Sequence, residues 1–467
     1  MVKVTAVFDI GRTNKKFFLF DKKLREVFRE YTVIEEIRDE DGFPCDDISE
    51  IVNWVKKTLD RFINQNEFEL QSVNFSAYGA SMVHVDREGK PVAPLYSYLK
   101  PIPADVLDSF YSTYGDQWRL AKETASPPLA MLNSGLQPYW IKQTKPELFK
   151  AIKWSMHLPQ FLSYLFTGLP VSDFTSIGCH TMLWDYTKKD YHAWVYAEKI
   201  DQILPPIVDT DTMVLKSYQG HRIKFGVGIH DSSSALIPYF IFAKEPFLLV
   251  STGTWSISMN PFSDSPLSKK NLQNDVLKFM QIDGRPVKAS RLFLGNEFKL
   301  QTNKLLLFFK KRPRYHHGVK INWKLIDRLR SNYQRKFIFE TIKSSFASPG
   351  PVDLGTFRNF EEAYHQLMLE LVELQVKSVE MAIGKTSLKK IYIDGGFIDN
   401  DIYVKLLADY FSGYKIQTAR SALGSALGAA IVISARKLSE KSLARHYELK
   451  RQKRNKSKSV EPQKTWN

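Results

Sequence analysis

The chain has 467 residues, a length that predicts more than one domain. Of these residues 43% are hydrophobic and 25% are charged, as is typical of a globular protein. Its net charge of +16 is no sign of nucleic-acid binding by itself, because half of the excess lies after residue 435. The basic run 450–458 has no apolar periodicity and no aromatic residue for stacking on single strands. We therefore predict a basic, partly disordered tail at 436–467 and disfavour a nucleic-acid partner.

Membrane insertion and secretion are also disfavoured by the sequence. Residues 1–8 read as a strand and lack the apolar core of a signal peptide, and the weakly polar stretch 422–435 is too short to cross a bilayer. The two cysteines, Cys45 and Cys179, lack metal-type spacing and fit a reducing compartment. We expect a cytoplasmic protein without a membrane partner, and the sequence leaves a homodimer open.

The first half of the chain begins with a hairpin that has a polar tip. Alternation over 4–10 and an apolar run at 17–20 predict two strands joined by a turn. Helical spacing predicts a helix over 48–62, residues 73–77 read as a strand, and helical segments are expected across 140–166.

The second half begins in the same way, with a strand at 247–250 and a turn of small residues at 251–255. Further predicted elements are a helix at 360–383, a strand at 390–393, a helix at 401–411, a strand at 415–418 and a small-residue helix from 421. Two α/β halves that each begin with a phosphate-type hairpin predict two ribonuclease H-like domains, 1–243 and 244–435, in the actin-like ATPase arrangement. Nucleotide and sugar would then lie in the cleft between them.

The first hairpin tip combines groups that suit phosphate and a metal ion. Asp9 ends the strand and would orient Mg²⁺ through water, while the turn amides would face phosphate oxygens. The candidate phosphate ligands are Gly11, Thr13, Asn14 and Lys15, with Lys16 as the alternative lysine. A polar hairpin with solvated lysines would give the same pattern.

Asp231 is the candidate catalytic base. It follows Gly228-Ile229-His230 and precedes three serines, and a carboxylate at such a turn can accept a proton from an attacking hydroxyl. An aspartate that caps the following helix would look alike, and the two roles are compatible. About twenty residues later, Thr252, Gly253 and Thr254 end a strand and would hold phosphate oxygens.

A glycine turn at Gly395 and Gly396 follows the predicted strand at 390–393 and would let a flat ligand approach the backbone. Gly384-Lys385-Thr386-Ser387 resembles the end of a P-loop, but the earlier glycine position is Val379 and the segment follows a helix. We interpret that segment as a helix end.

Together these motifs resemble the FGGY carbohydrate kinases, and within them the rhamnulokinase and fuculokinase-like branch. The segments 228–235 and 251–256 look like that branch's base-bearing segment and second phosphate motif. The hairpin 9–16 looks like the first phosphate motif, and 394–400 with 422–430 is similar to the adenosine motif.

The resemblance implies ATP and Mg²⁺ as cofactors, a sugar held mainly by the first domain, and adenosine beside Gly395, Gly396 and Asn400. The expected sugar contacts are Ala80, Ser81, Tyr98, Lys100 and His230. Three features depart from the family pattern. Tyr98 and Lys100 stand where an Asp and an Arg are common, Phe397 replaces a third glycine, and 310–355 lacks the usual signature.

The sequence thus predicts ATP-dependent phosphorylation of a sugar hydroxyl, on a ketose or a 6-deoxyketose of the rhamnulose, fuculose or xylulose kind, with Asp231 as general base. The alternatives are a kinase for a polyol such as glycerol, and a non-catalytic nucleotide- and sugar-binding protein on the same scaffold. A pure binder would not need the base, which favours the enzyme.

Overall fold

The computed structural model describes residues 1–331, 333–342, 352–420, 423–434 and 448–452. In chain order the strands are β1 (Val2–Ile10), β2 (Lys15–Asp21), β3 (Glu26–Thr32), β4 (Glu36–Arg38), β5 (Pro44–Asp46), β6 (Phe68–Ala77), β7 (Met82–Val85), β8 (Trp154–His157), β9 (Ser172–Asp173), β10 (Trp184–Asp185), β11 (Asp190–Tyr191), β12 (Ile207–Val208), β13 (Met213–Tyr218), β14 (His221–Gly226), β15 (Ile229–His230), β16 (Phe247–Thr252), β17 (Ser256–Asn260), β18 (Val276–Met280), β19 (Pro286–Leu292), β20 (Lys390–Gly395), β21 (Lys415–Thr418) and β22 (Lys450–Arg451).

The α-helices are α1 (Ile48–Ile63), α2 (Ala104–Tyr114), α3 (Gln117–Glu123), α4 (Leu136–Thr144), α5 (Pro146–Ala151), α6 (Leu158–Thr167), α7 (Phe174–Ile177), α8 (Ala193–Ala197), α9 (Asp231–Phe242), α10 (Lys269–Gln273), α11 (Leu294–Phe308), α12 (Trp323–Ser331), α13 (Phe360–Ile383), α14 (Asp401–Tyr410) and α15 (Gly424–Val432). Short 3₁₀ helices cover Ala130–Leu132, Ile200–Ile203, Tyr315–Gly318, Leu354–Thr356 and Gly396–Asp399. In the part of the chain that the structure describes, none of the helices has the length and apolar character needed to span a bilayer.

The first sheet has the order β13-β14-β6-β1-β2-β3, with β15 also paired to β6. Strands β1, β2 and β3 form an antiparallel meander, and β6 runs parallel to β1. The apolar run of β2 is buried on both faces because each face has its own helix layer. Phe17 and Leu19 pack with α1, whereas Phe18 and Phe20 pack in the cluster that contains α9 and α15.

The second sheet repeats this plan in the order β18-β19-β17-β16-β20-β21-β22. Strand β17 pairs antiparallel with both β16 and β19, and β20 runs parallel to β16. The shared plan supports the duplication that the two hairpins of the sequence predict. Helix α13 begins and ends at the predicted residues and is buried along most of its length, and Gly384 ends it with a φ of 55°.

Helices α9 and α15 lie between the two sheets and share one core cluster with residues of both. They are in close contact because a Cβ at Gly428 would overlap the Ser234 carbonyl oxygen. Ser234 Oγ donates to Ser425 O at 2.6 Å, and Asn74 Nδ2 of β6 donates to Ala429 O at 2.8 Å. This contact fixes the first sheet against the C-terminal part of the chain.

The predicted helical stretch 140–166 is interrupted. Helices α4, α5 and α6 cover most of it, but Trp154–His157 forms β8 and pairs with β7. The periodicity of apolar residues does not reveal this break, because the pairing partner lies about seventy residues earlier in the chain.

The segment 310–355 and the basic tail are each described in part. Between 310 and 355 the structure contains α12 and an extended segment whose Lys336 and Phe337 amides donate to Glu370 at 2.8 and 3.0 Å. In the tail, Lys450–Arg451 forms β22 at the edge of the second sheet. The tail residues 436–447 and 453–467 lie outside the described residues.

Candidate functional site

The carboxyl ends of β1 and β15 meet at one edge of the first sheet. Both strands run parallel to β6, where Asp9 pairs with Ser76 and His230 pairs with Ala77. Since parallel strands end at the same edge, Asp9 and the first residue of α9, Asp231, come together across one intervening strand. The two sequence motifs, more than two hundred residues apart, therefore form one site.

Asp231 begins α9, and His230 is the N-cap residue but makes no side-chain cap bond. The Asp231 side chain is 33% exposed and accepts from Ser232 Oγ at 3.1 Å. Burial and then the nearby Asp9 carboxylate raise the pKa of Asp231 to about 7, against opposing contributions from Ser232 and Lys16. A carboxylate with such a pKa is suited to accept a proton near neutral pH.

His230 lies behind the base and is buried. Its Nε2 is 3.2 Å from Asp231 Oδ1 and 3.2 Å from Cys179 Sγ. Burial lowers the pKa of His230 to about 4, so the ring is neutral near pH 7. A neutral ring with its hydrogen on Nε2 donates to Asp231 and fixes the carboxylate. The structure thus places His230 against Asp231, and it brings Cys179, which lies in no recognisable sequence motif, to the same group.

Asp9 is buried and held from two sides. Ser425 Oγ, in the first turn of α15, donates to Asp9 Oδ1 at 2.6 Å, and Lys16 Nζ lies 3.4 Å from Asp9 Oδ2. The lysine at this site is therefore Lys16. Lys15 does not reach it, because the alternation of β2 turns Lys15 to the opposite face, where its Nζ donates to buried Asp46 at 2.8 Å.

The turn of the first hairpin leaves backbone donors open. Gly11 N donates to Asn14 O at 3.0 Å and so closes the turn, while Thr13 and Asn14 are exposed. The second turn is similar, since Gly253 N donates to Trp255 O at 2.8 Å and Thr254 is exposed. Within the described part of the chain, the Thr13 and Thr254 amides donate to no protein acceptor.

The Thr252 hydroxyl is buried and already used. It donates to Asp394 O and accepts from Phe397 N at 3.1 Å. It thereby joins the end of β16 to the glycine turn that follows β20. The structure places Thr252 as a support for both turns, with Gly253 and Thr254 at the surface.

The glycine turn approaches β16 closely. Gly395 has a φ of +83°, and a Cβ there would overlap Thr252 O, whereas Gly396 is exposed with open space around it. Asn400 caps α14 by accepting from Tyr403 N at 3.1 Å, and its Nδ2 donates to Tyr364 OH at 3.0 Å. Phe397, in place of a third glycine, is buried and packs 5.1 Å from the Phe298 ring.

Ala80 and Ser81 are buried between β6 and α6. Gln137 Nε2 donates to Ala80 O at 2.9 Å, and Leu158 N donates to Ser81 O at 3.1 Å. These contacts fix the backbone that follows β6 and place it beside Gly79, where a Cβ would meet Cys179 Sγ and the His230 ring.

Of the two residues that depart from the family's substrate loop, only Tyr98 faces the site. Its ring lies 5.9 Å from the Arg12 guanidinium, and burial raises the pKa of its phenol, with Arg12 opposing and Asp231 adding to that rise. Lys100 is buried elsewhere, donating to Asp39 and Asp41 at 2.5 Å each. Lys100 is therefore not brought to the site.

Carboxylates could hold a divalent cation here. No group of three or more His, Cys, Asp or Glu side chains with metal-binding geometry occurs among the described residues. Asp9 supplies one carboxylate, and Mg²⁺ is commonly held by one or two carboxylates together with water and phosphate oxygens. The donor set fits such an ion.

The chain matches two family models, the N-terminal domain of the FGGY family of carbohydrate kinases over residues 4–235 and the C-terminal domain of the same family over residues 244–314. The chain belongs to the FGGY family. This confirms the resemblance that the sequence motifs carry.

Relatives of known name are distant. A rhamnulokinase of Halalkalibacterium halodurans is 25% identical over 260 residues, which cover 53% of this chain and 52% of the relative. An L-fuculokinase of Escherichia coli is 23% identical over 279 residues, covering 55% and 56%. The chain thus spans about half the length of the curated relatives it matches.

The fold is shared over nearly the whole length. A solved carbohydrate kinase from Novosphingobium aromaticivorans superimposes with a TM-score of 0.76 and 21% identity, covering 96% of this chain and 96% of that structure. The two-domain, actin-like fold of the FGGY family, predicted from the two hairpins, is confirmed.

Proposed function

We propose that this FGGY protein transfers the terminal phosphoryl group of ATP to a hydroxyl of a sugar, with Asp231 as the general base. The observation that carries the proposal is the position of Asp231 at the start of α9, beside Asp9 and with a pKa of about 7. In the transfer, the acceptor O–H gives its proton to Asp231, the oxygen forms the new bond to phosphorus, and ADP leaves.

The rest of the site supports this chemistry. Thr13 and Thr254 present open amide donors for phosphate oxygens from the two domains. Lys16 adds a positive charge beside Asp9. We propose that Mg²⁺ is held by Asp9 through water, where it would neutralise charge on the phosphate oxygens. Adenosine would lie against Gly395 and Gly396, whose turn leaves room for a flat ring.

The substrate that we propose is a ketose or a 6-deoxyketose. The support is the similarity to a rhamnulokinase and an L-fuculokinase, at identities that do not fix the substrate. A polyol such as glycerol is the alternative acceptor, because Tyr98 replaces an acidic sugar contact and Lys100 is engaged by Asp39 and Asp41. Ala80, Ser81 and His230 would border either acceptor. Cytoplasmic location and a homodimer stay predictions.

A panel of ketoses, aldoses and polyols, assayed by ADP release from ATP, tests the function and the substrate together. Asp231→Asn keeps the shape of the side chain and removes the base, so we expect turnover with the best acceptor to fall by about 10²–10⁴-fold. The control is Asp105→Asn, which changes an exposed first-turn aspartate of α2.

Calorimetry of ATP binding to both variants separates loss of the base from loss of the fold. Undiminished turnover of Asp231→Asn would refute the role of the base. Binding of ATP and a sugar with no transfer to any acceptor would favour the non-catalytic binding protein.

A further inference from the structure

Arg291 of β19 is a buried cation that joins the two domains. Its side chain is 5% exposed and makes a forked ion pair with Asp275, with Nε and Nη2 at 3.1 and 2.9 Å from the carboxylate oxygens. Its remaining terminal nitrogen, Nη1, lies 3.2 Å from His180 Nε2 of the first domain. A buried arginine that divides its donors between domains is positioned by both of them.

His180 is arranged to receive this contact. Its Nδ1 lies 3.0 Å from Leu132 O and donates to that carbonyl, which leaves Nε2 as an acceptor for Arg291. Burial and the Arg291 charge lower the pKa of His180 well below its usual value, so the ring is neutral. The backbone of His180 has a φ of 43°, in the left-handed region. The ring is thus held in one orientation by its own domain.

The contacts continue from His180 to the proposed base. Cys179, the neighbour of His180, has its Sγ 3.2 Å from His230 Nε2, which in turn lies 3.2 Å from Asp231 Oδ1. Phe279 of β18 covers this path, with its ring 5.3 Å from that of His230. Ser233 Oγ, in the first turn of α9, also donates to Met280 O at 2.7 Å.

In the other direction, Arg291 touches the second phosphate-type turn. Its guanidinium carbon lies 5.3 Å from the centre of the Trp255 ring, and Trp255 follows Thr254 in that turn. Thr254 O accepts from Gly295 N at 3.1 Å at the start of α11. The Arg291 side chain therefore contacts His180, whose neighbour Cys179 touches the His230 ring beside Asp231. It also contacts Trp255 in the turn that would face the phosphate.

We propose that Arg291 is a positioning residue that holds Asp231 and the Thr254 turn at a fixed relative position when acceptor and nucleotide are both bound. The proposal rests on the proposed function. The base lies in the first domain and one of the two phosphate-type turns lies in the second, so in-line transfer requires a fixed relative placement, and an error of about 1 Å can cost about 10²-fold in rate. Arg291 and His180 form a buried polar contact between the domains that would help to fix it.

Two substitutions test the link from its two ends. Arg291→Lys keeps the charge but loses the fork and the guanidinium contact with the Trp255 ring. His180→Asn keeps a short donor for Leu132 O and tolerates the left-handed backbone, but its side chain is too short to accept from Arg291. The matched control is Arg285→Lys. Arg285 is exposed, lies just before β19, and pairs with Asp283.

We expect Arg291→Lys and His180→Asn to lower kcat by about 10–100-fold. The dissociation constants for ATP and acceptor, measured singly, should stay within about twofold of wild type. The share of ATP that is hydrolysed instead of transferred should rise. The double variant should be no worse than the more affected single one, because both remove the same contact.

A binding readout separates this inference from the proposed function. In calorimetry with a non-hydrolysable ATP analogue, the best-binding sugar should tighten nucleotide binding to the wild-type protein by about tenfold, and Arg291→Lys should abolish that coupling. Wild-type coupling and kcat in both variants would overturn the role of Arg291. If the coupling depends on Arg291 but the protein transfers no phosphate to any acceptor, the positioning role of Arg291 stands and the proposed kinase function is refuted.

Discussion

The two phosphate-type turns occupy matching places in the two sheets, yet different chemistry surrounds them. The turn after β1 lies among charged side chains, with Asp9 at its start, Lys16 beside it and Asp231 across one strand. The turn after β16 is held by Thr252, whose hydroxyl bridges to Asp394 O and Phe397 N.

This difference indicates that the two halves of a duplicated fold have different chemical roles. The shared strand plan puts an open amide donor at the end of each hairpin, at Thr13 and at Thr254. Asp9 and the proposed base Asp231 lie beside the first turn, whereas Asp394, the carboxylate beside the second turn, is buried and accepts from Tyr239 OH at 2.8 Å. Changes near the first turn should therefore alter proton transfer and its pH dependence, and changes near the second turn should alter nucleotide affinity.

The largest effect is expected at the second turn, for Gly395→Ala. A Cβ there would overlap Thr252 O at a backbone φ of +83°, so the ends of β16 and β20 must separate. We expect a loss of about 2 kcal/mol or more in the free energy of unfolding and at least tenfold weaker ATP binding, measured by denaturant melts and calorimetry.

Gly413→Ala is the control for this prediction, because Gly413 is exposed in the turn after α14 and a Cβ there would have open space around it. It should bind ATP as the wild type does. Equal behaviour of the two variants would show that the close approach of the turn to β16 does not matter for the nucleotide.

Lys15 and Lys16 sharpen the comparison within the first turn. Lys15 is 1% exposed and pairs with Asp46, which also accepts from Tyr78 OH at 2.6 Å. Lys15→Met would leave Asp46 with Arg12 and Tyr78 as its partners, and we expect the loss of the buried Lys15 contact to lower the free energy of unfolding by about 1–3 kcal/mol.

Lys16→Met should have the opposite profile, with near-normal stability and impaired transfer, because Lys16 is partly exposed beside Asp9. Denaturant melts and ADP-release assays on both variants check this. A stable Lys15→Met protein with the greater loss of activity would reverse the assignment of the two lysines.

The elements that define the two halves could be predicted because their signals are local. The hairpin 4–20 and helix 360–383 follow from alternation and helical spacing, and the predicted bounds of the helix are those observed. The position of Asp231 at a helix start also follows from its neighbours. The strand β8 could not be predicted, because its pairing with β7 is a tertiary contact.

The motifs of the site could be predicted from the sequence, but which side chains face the site could not. Lys15 and Lys16 are alike in type, and only the register of β2 decides which one faces Asp9. Ser425, which holds Asp9, comes from α15 more than four hundred residues away. Arg291 and His180 carry no motif, and they meet only because the domains pack against each other.

The pH dependence of transfer tests the charged side of the comparison. Asp231 must be ionised to accept a proton, so kcat/KM for the sugar should rise with pH on a limb with a midpoint near 7. Lys16 lowers the pKa of Asp231, and Lys16→Gln should therefore move that limb to higher pH.

Lys22→Gln is the control for this shift, since Lys22 is exposed in the turn at the far end of β2. It should leave the midpoint in place. A midpoint that does not respond to Lys16→Gln would indicate that a group other than Asp231 controls the limb.

The pH dependence of stability tests the cost of keeping the base ionised. The pKa of Asp231 is about 7 in the folded protein against 3.8 for an ordinary aspartate, so folding is progressively disfavoured as the pH rises between these values, and the loss persists above 7. Asp231→Asn has no such titration. Its Tm relative to wild type should therefore increase from about pH 5 to about pH 8, as measured by calorimetric scans, whereas the Tm difference for Asp105→Asn should stay constant over the same range. A Tm difference for Asp231→Asn that is flat with pH would mean that Asp231 titrates as an ordinary aspartate, and the first turn would then lack a base with a pKa near neutrality.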